Sequence, residues 1–218
     1  MFSYIFENWS TVASQLLRQL TIIGIALPIA VAIGVPIGIL VSNHRRLARV
    51  VVAVAGVLMT IPSLALFGLM VIILAPFNAG IGIPPAVTAI VIYSLLPMIR
   101  NTLVAVQAVD MGMIKAARGM GMTNGQILAR VRLPLAVPVI MAGLRNAAVL
   151  GVSVTTIAYL VGAKGLGYFI FAGLSRTRVD MILTGAVIVG ILGIATNYLL
   201  LFVEELITPR GIKTTRTQ

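Results

Sequence analysis

The chain has 218 residues, of which 60% are hydrophobic and 10% are charged, and its formal net charge is +11. Soluble domains carry about 25% charged residues. This composition, with a mean hydropathy of +1.11, therefore excludes a single soluble domain and predicts an all-α integral membrane protein, with the lipid bilayer as its surroundings. The chain has no cysteine, which excludes a disulfide framework, a thiolate nucleophile and a Cys-based metal site. The single His44 lies beside Arg45 and Arg46, where a solvated loop histidine is expected rather than a metal ligand.

The first 20 residues are amphipathic. Hydrophobic residues recur there at helical spacing, while Glu7 and the lack of a basic start argue against a secretory signal peptide. We therefore predict an interfacial helix over residues 1–20, with Tyr4 and Trp9 at the depth of the lipid headgroups.

Five hydrophobic runs follow, and each can cross a bilayer core of about 30 Å, which takes around 20 helical residues. They are Thr21–Val41, Val50–Leu74, Ile81–Ile99, Leu135–Val161 and Ile182–Val203. Small residues recur at four-residue spacing in the first run (Gly34 and Gly38) and in the last (Ala186 and Gly190). Such pairs predict close approach of neighbouring helices.

The basic residues are divided unequally between the two sides of these runs. One side collects Arg45, Arg46, Arg49, Arg100, Lys115, Arg118, Arg130, Arg132, Arg210, Lys213 and Arg216, and the other has Arg18, Lys164, Arg176 and Arg178. The positive-inside rule predicts that the first side is cytoplasmic, with the N-terminus outside and residues 204–218 forming a basic cytoplasmic tail. The charge therefore indicates topology, and no nucleic-acid partner is expected because the basic groups do not gather on a soluble face.

The segment 110–134, on the predicted cytoplasmic side, is helix-like and moderately polar. A helix here would present a narrow face of small and apolar groups, namely Ile114, Ala117 and Gly121. Lys115 and Arg118 would lie on a neighbouring face. Thr123 and Gln126 have the spacing of a capping box that starts a second short helix, and Pro134 is expected to end the segment. These features suit docking into a groove of another protein.

The spacing of this segment also resembles a family pattern. Lys115-Ala116-Ala117, Gly121, Val131 and Leu133-Pro134 are similar to the loop of binding-protein-dependent ABC importer permeases, which reads Glu-Ala-Ala, three residues, Gly, nine residues, Ile, one residue, Leu-Pro. Lys115 stands where Glu is usual and reverses its charge, so a salt bridge from that Glu cannot be carried over. Val131 for Ile changes volume and shape little.

Further stretches resemble the osmoprotectant branch of these permeases, which serves glycine betaine, carnitine, choline or proline betaine. They are Ile61–Leu66, Leu95–Thr102, Ala117–Thr123, Leu133–Gly143 and Val161–Gly167. Lys164 stands where relatives tend to have Gly. The resemblance covers nearly the whole chain from Leu16 to Phe202.

The resemblance implies a type I ABC importer permease. Its transmembrane domain would occupy residues 16–203, with a core of five transmembrane helices, an N-terminal amphipathic helix and a cytoplasmic coupling helix. It would work with a second permease copy or a homologous permease, with cytoplasmic ABC ATPase subunits, and with an extracytoplasmic solute-binding protein, in the inner membrane of a bacterium. The coupling-loop residues implied are Ile114, Lys115, Ala116, Ala117, Arg118, Gly121, Leu133 and Pro134.

Several kinds of site are missing from the sequence. It has no phosphate-cradling Gly-rich motif, so ATP is expected to be used by the partner and no cofactor is expected on this chain. The five acidic residues lie in loops or at the ends of runs, whereas ion-driven carriers place a carboxylate or His at mid-depth. No acid–base pair or nucleophile set can be assembled, so we expect no catalytic residues, no metal ligands and no enzyme activity.

Polar residues inside the runs are the candidates for a translocation path. They are Tyr93, Arg145, Asn146, Ser153 and Thr156. Arg145 can either reach the cytoplasmic surface along its own helix or act in a gate. The hydroxyl residues can line a path or form hydrogen bonds between helices, and packing is favoured. Tyr93, Tyr159 and Tyr198 can either pack or hold a quaternary ammonium solute by cation–π contact.

Two alternatives to an osmoprotectant permease are kept. A methionine or polar-amino-acid ABC importer permease shares the five-helix core, and a self-sufficient secondary carrier would need no ATPase.

Overall fold

The computed structural model describes residues 2–208, and every regular element in that range is helical. The α-helices are α1 (Phe2–Glu7), α2 (Trp9–Val41), α3 (Arg45–Thr60), α4 (Ser63–Leu74), α5 (Ile83–Gln107), α6 (Met111–Gly119), α7 (Asn124–Ile127), α8 (Leu133–Ile157), α9 (Gly167–Ser175) and α10 (Val179–Ile207). Short 3₁₀ turns cover Ala75–Phe77 and Ala158–Val161, and a π turn covers Leu128–Arg132.

Four of these helices, α2, α5, α8 and α10, are long and apolar enough to cross a membrane, and α8 runs on from α7 through the π turn. The pair α3 and α4 passes the same test only when taken together, and it is bent by 98°. The predicted second run, Val50–Leu74, is therefore a broken span or a re-entrant element. Pro62 explains the break, because proline disfavours helical geometry in the residue before it, and Ile61 has ψ 125°.

The N-terminal region differs from a separate interfacial helix over residues 1–20. α1 ends at Glu7, and α2 then runs without interruption from Trp9 into the first span. The buried Val12 packs with Leu166, Phe169 and Met181 from the region of α9 and α10. The buried face of this stretch therefore meets protein.

The core of the bundle is formed by α5, which packs on α2 along one side and on α8 along another. A Cβ built on Gly34 would lie 2.6 Å from the Cβ of Met98, and one built on Gly38 would lie 2.7 Å from the Cβ of Thr102. The predicted close approach at this glycine pair is confirmed. In the described part of the chain, Gly190 has no atom within 4 Å of such a Cβ, so its stretch of α10 is left open.

The ends of α2 and α5 meet the segment 110–134 at one end of the bundle, which we call the basic end. Gln107 donates a hydrogen bond to the carbonyl of Ser42 (2.9 Å), and Arg132 donates one to the side chain of Asn43 (3.4 Å). At the opposite end, the start of α5 lies against the turn 162–167, since Gly82 N–H bonds to the carbonyl of Val161 (3.0 Å).

Candidate coupling loop and central groove

The first helix of the segment 110–134 has a well-defined start. The Asp110 carboxylate accepts hydrogen bonds from the backbone N–H groups of Gly112 (2.7 Å) and Met113 (3.1 Å). These are two of the N–H groups that a helix leaves unpaired at its first turn, so Asp110 is an N-cap. The cap fixes where α6 begins relative to the end of α5.

The apolar face of α6 points into the chain itself. Ile114 and Ala117 are buried, and they pack with Val109 and Ile127 in a small cluster beside the end of the bundle. This corrects the expectation that these two residues form a docking stripe for another protein. The exposed face of α6 carries Met111, Met113, Lys115, Ala116 and Arg118, and the exposed Met120 follows it. A partner would meet this second face, which combines flexible methionines with two cations.

Gly121 ends α6 in a conformation that suits glycine. Its φ is +79°, its N–H bonds to the carbonyl of Arg118 (2.9 Å), and the N–H of Met122 bonds to the carbonyl of Ala117 (3.1 Å). These two bonds form a Schellman motif, with glycine at the left-handed position. Among the described residues nothing lies within 4 Å of a Cβ built there, so backbone conformation and not crowding favours glycine.

The second helix of the segment begins at the predicted capping box. The Thr123 hydroxyl accepts from the Gln126 N–H (3.3 Å), and the Gln126 side chain accepts from the Thr123 N–H (2.9 Å), which confirms that prediction. Pro134, however, does not end the segment. The helix passes through the π turn Leu128–Arg132 into α8, and Pro134 is the second residue of α8.

A large groove opens between α5, α8 and α10. Its volume is about 1130 Å³, and most of its wall is apolar. Its polar lining consists of Arg100, Asn101, Asn146, Ser153, Asn197 and Tyr198. Within residues 2–208, no acidic side chain lines it.

Only two of the five predicted path residues, Asn146 and Ser153, line this groove. Tyr93 is buried, and its hydroxyl donates a hydrogen bond to the carbonyl of Ile61 at the bend between α3 and α4. Thr156 is buried, donates to the carbonyl of Val152 in its own helix (3.1 Å) and accepts from the Gln19 amide of α2 (3.4 Å). These two side chains stabilise helix packing in the described chain.

The fifth candidate, Arg145, forms an ion pair with Glu204 (3.2 Å) that joins α8 to α10. The side chains of Arg145 and Glu204 are 17% and 3% exposed. Arg145 therefore meets a carboxylate inside the bundle, where pairing offsets much of the cost of burying a charge.

The groove includes residues that the path prediction did not name, namely Arg100, Asn101 and Asn197. The third predicted run ended at Ile99, which assigned Arg100 to a loop, but α5 continues to Gln107. A polar residue within a hydrophobic run is the sequence signal for a groove-lining residue. Asn197 in the fifth run carries this signal as clearly as Asn146 does in the fourth.

The three tyrosines that were candidates for a cation–π contact differ in their surroundings. The Tyr159 ring stacks on Phe171 (centroids 6.0 Å apart, 7° between planes) and meets Tyr168 edge-on at 6.1 Å. Tyr198, by contrast, is 66% exposed and lines the groove. Of the three tyrosines, only Tyr198 offers a ring to a solute in the groove.

The glycine-rich turn at the opposite end is held by a buried glutamine. Gln19 is fully buried, and it donates to the carbonyl of Val152 (3.1 Å) and accepts from the N–H of Leu166 (3.0 Å). A Cβ on Gly167 would lie 1.9 Å from the carbonyl oxygen of Thr156. This turn is therefore a packed structural element, and Lys164 is exposed on it.

These features define a multi-pass, all-helical membrane protein. It has a mostly apolar groove with several polar side chains beside its central helix, and a helical loop exposed at one end. Residues 31–213 match the family of binding-protein-dependent transport system inner membrane components. The chain belongs to this family, whose members are permease subunits and not catalytic ones.

Similar proteins and structures agree with this assignment. The chain is 41% identical to the osmoprotectant import permease protein OsmW of Salmonella typhimurium, over 96% of this chain and 98% of that protein. It is 41% identical to the carnitine transport permease protein OpuCB of Listeria monocytogenes (96% and 94%) and 35% identical to the choline transport system permease protein OpuBD of Bacillus subtilis (100% and 93%).

Solved structures show the same fold. A structure of the MetNI methionine ABC transporter in inward-facing conformations superposes with a TM-score of 0.83 at 21% identity, covering 93% of this chain and 99% of that chain. The fold is therefore that of a type I ABC importer permease.

Proposed function

We propose that this chain is the permease subunit of an ATP-driven importer for a compatible solute such as glycine betaine, carnitine, choline or proline betaine. The observation that carries this proposal is the 41% identity to an osmoprotectant import permease along 96% of the chain. The similarity spans 96% of this chain and 98% of that protein, so it is not confined to one motif.

The energy would be supplied by a separate ATPase through the segment 110–134. α6 suits this role because it is a short helix fixed at both ends, by a cap and a Schellman motif. The next helix of the segment, α7, is continuous with α8 through the π turn. A push on α6 would therefore be transmitted to a helix that lines the groove. ATP would bind to the partner, and this chain would hold no cofactor.

The basic end would face the cytoplasm, with the N-terminus outside and the C-terminus inside. The support is the positive-inside rule, together with the contacts that bring Ser42, Asn43, Gln107 and Arg132 to the same end as the coupling segment. A solute-binding protein would deliver solute to the opposite end, where the turn 162–167 lies.

A second permease, either another copy or a homologue, would complete the translocation path. The groove between α5, α8 and α10 is open on one side, and the stretch of α10 at Gly190 and Gly193 has no neighbouring atom within 4 Å of a built Cβ in the described chain. Small residues on an uncovered transmembrane helix suit close contact with another helix.

The other candidates have weaker support. The similar methionine-transporter structures share 21% identity, which bears on fold and not on solute. A self-sufficient carrier needs an ion-coupling group in its path, and in the described groove lining the only ionisable side chains are Arg100 and Tyr198.

The test is uptake by proteoliposomes that hold the chain with its ATPase, with the binding protein outside and ATP inside. We expect labelled glycine betaine or carnitine to accumulate only when both ATPase and ATP are present. Vesicles that lack the ATPase are the matched control. Accumulation in those vesicles would establish a carrier, and accumulation of methionine instead of betaine would assign the alternative importer.

A further inference from the structure

The central groove contains one permanent charge. Of its lining residues in the described chain, Arg100 alone is a cation and none is an acid, and the Arg100 side chain is exposed to the groove. Arg100 lies seven residues before the end of α5, which corresponds to about 10 Å along the helix axis. Because α5 continues past it to Gln107, Arg100 lies on a helix that lines the groove and not in a loop.

Amide side chains from three helices surround the same groove. α5 supplies Asn101, α8 supplies Asn146 and α10 supplies Asn197. The Asn101 amide is held in place, because it donates to the carbonyl of Pro97 (2.8 Å) and its Cβ lies where a Cβ on Gly143 would approach to 2.7 Å. A planar guanidinium with neighbouring amides is a set of donors suited to a carboxylate.

An aromatic face is available in the same groove. Tyr198 of α10 lines it with most of its side chain exposed, while Tyr93 and Tyr159 are engaged in packing elsewhere. An aromatic face attracts a quaternary ammonium group, which carries charge without hydrogen-bond donors. The groove thus combines a partner for an anion with a partner for a bulky cation.

We propose that the permease itself selects solutes that carry both a carboxylate and a quaternary ammonium group, with Arg100 meeting the carboxylate and Tyr198 the ammonium. A solute that carries only the cation, such as choline, meets Arg100 without a compensating carboxylate and is disfavoured. This inference rests on the proposed function and names the specificity of its path. The groove volume of about 1130 Å³ exceeds the roughly 300–1,000 Å³ of closed small-molecule sites, so the groove would not enclose a single solute tightly.

The first test removes the selectivity of the binding protein. In the permease–ATPase complex without binding protein, a Val149→Cys variant places one thiol in the groove of a chain that otherwise has no cysteine. We expect glycine betaine at millimolar concentration to slow maleimide labelling of this thiol, and choline at the same concentration to slow it much less. Adding Arg100→Gln should abolish the difference. Equal protection by both solutes, or a difference that survives Arg100→Gln, overturns the inference.

The second test measures turnover by the complete transporter with saturating loaded binding protein. Arg100→Gln should lower glycine betaine turnover about tenfold, as expected for the loss of a charged hydrogen bond, and leave choline turnover unchanged or raised. Arg100→Lys should retain most betaine transport. The control is Arg46→Gln, which removes an exposed charge at the start of α3. It should change the turnover of neither solute. An equal fall for both solutes would show a structural role for Arg100. If the unaltered transporter imports neither solute, the proposed function fails as well.

Discussion

The guanidinium of Arg145 lies 3.2 Å from the carboxylate of Glu204, and this ion pair joins the middle of α8 to the last turns of α10. Both charges are largely removed from water, with side chains 17% and 3% exposed. Because α8 lines the groove and also continues from the coupling segment, the pair fixes α10 to the helix that would transmit the push of the ATPase.

Breaking this pair should destabilise the protein more than removing both charges. Arg145→Met leaves the Glu204 carboxylate in the bundle without its guanidinium, and loss of one partner of a buried pair costs about 3–5 kcal/mol. Arg145→Met with Glu204→Gln should recover much of that loss. The measurement is thermal unfolding of the detergent-purified permease, and a double variant no more stable than Arg145→Met would contradict the pairing.

Gly121 should be sensitive through its backbone conformation. At φ +79°, alanine is strained by about 1–2 kcal/mol, while asparagine tolerates this region better. We expect Gly121→Ala to lower uptake, Gly121→Asn to lower it less, and Gly119→Ala, inside α6, to leave it unchanged. Uptake per amount of inserted protein is the readout. Equal effects of alanine at positions 119 and 121 would show that the Schellman motif is not what matters.

Lys115 should contribute to binding of the ATPase by its charge. It lies on the exposed face of α6 near Arg118, and the one acid of the segment, Asp110, has an oxygen occupied by the N-cap bonds. We expect Lys115→Glu to weaken ATPase association roughly two- to fivefold at low salt, with a smaller effect at high salt, because exposed pairs are weak and screened. Lys164→Glu at the opposite end is the control. Tighter binding by Lys115→Glu would mean that the ATPase surface there is basic.

Replacing Gly38 with any larger residue should lower the stability of the protein. A Cβ there would lie 2.7 Å from the Cβ of Thr102 and 2.9 Å from the carbonyl oxygen of Ile99, which cannot move without shifting α5. Gly38→Ala should therefore destabilise the protein by about 1–3 kcal/mol. Gly24→Ala in the same helix is the matched control, since no described atom lies within 4 Å of its built Cβ. Unfolding temperatures of the two variants give the comparison, and similar values would contradict the close α2–α5 contact.

Local rules predicted much of this structure. Spacing and composition were enough to predict the glycine pair in α2, the capping box at Thr123 and the positions of four spans. Each of these features depends only on residues that are close together in the sequence. The inward direction of Ile114 and Ala117 did not follow, because periodicity shows that a face is apolar and not which surface covers it. The 98° bend lies at Pro62. Transmembrane helices often tolerate a proline, so tertiary packing decides whether a given proline breaks the helix.

The groove was predicted least completely for a similar reason. Tyr93, Thr156 and Asn146 look alike in sequence, as polar groups within hydrophobic runs, and only the packing of α5 against its neighbours separates the buried from the open ones. The end of the third run was set too early at Ile99, which removed Arg100 from consideration.

Single-cysteine labelling in intact cells tests most directly whether energy enters through the segment 110–134 from the cytoplasm. The chain has no cysteine, so Met120→Cys on the exposed end of α6 and Lys164→Cys on the opposite turn each give one reactive site. With a membrane-impermeant maleimide, we expect labelling of Lys164→Cys in intact cells and of Met120→Cys only after the membrane is opened. We also expect bound ATPase to protect Met120→Cys. Labelling of Met120→Cys from outside intact cells would contradict the cytoplasmic position of this segment.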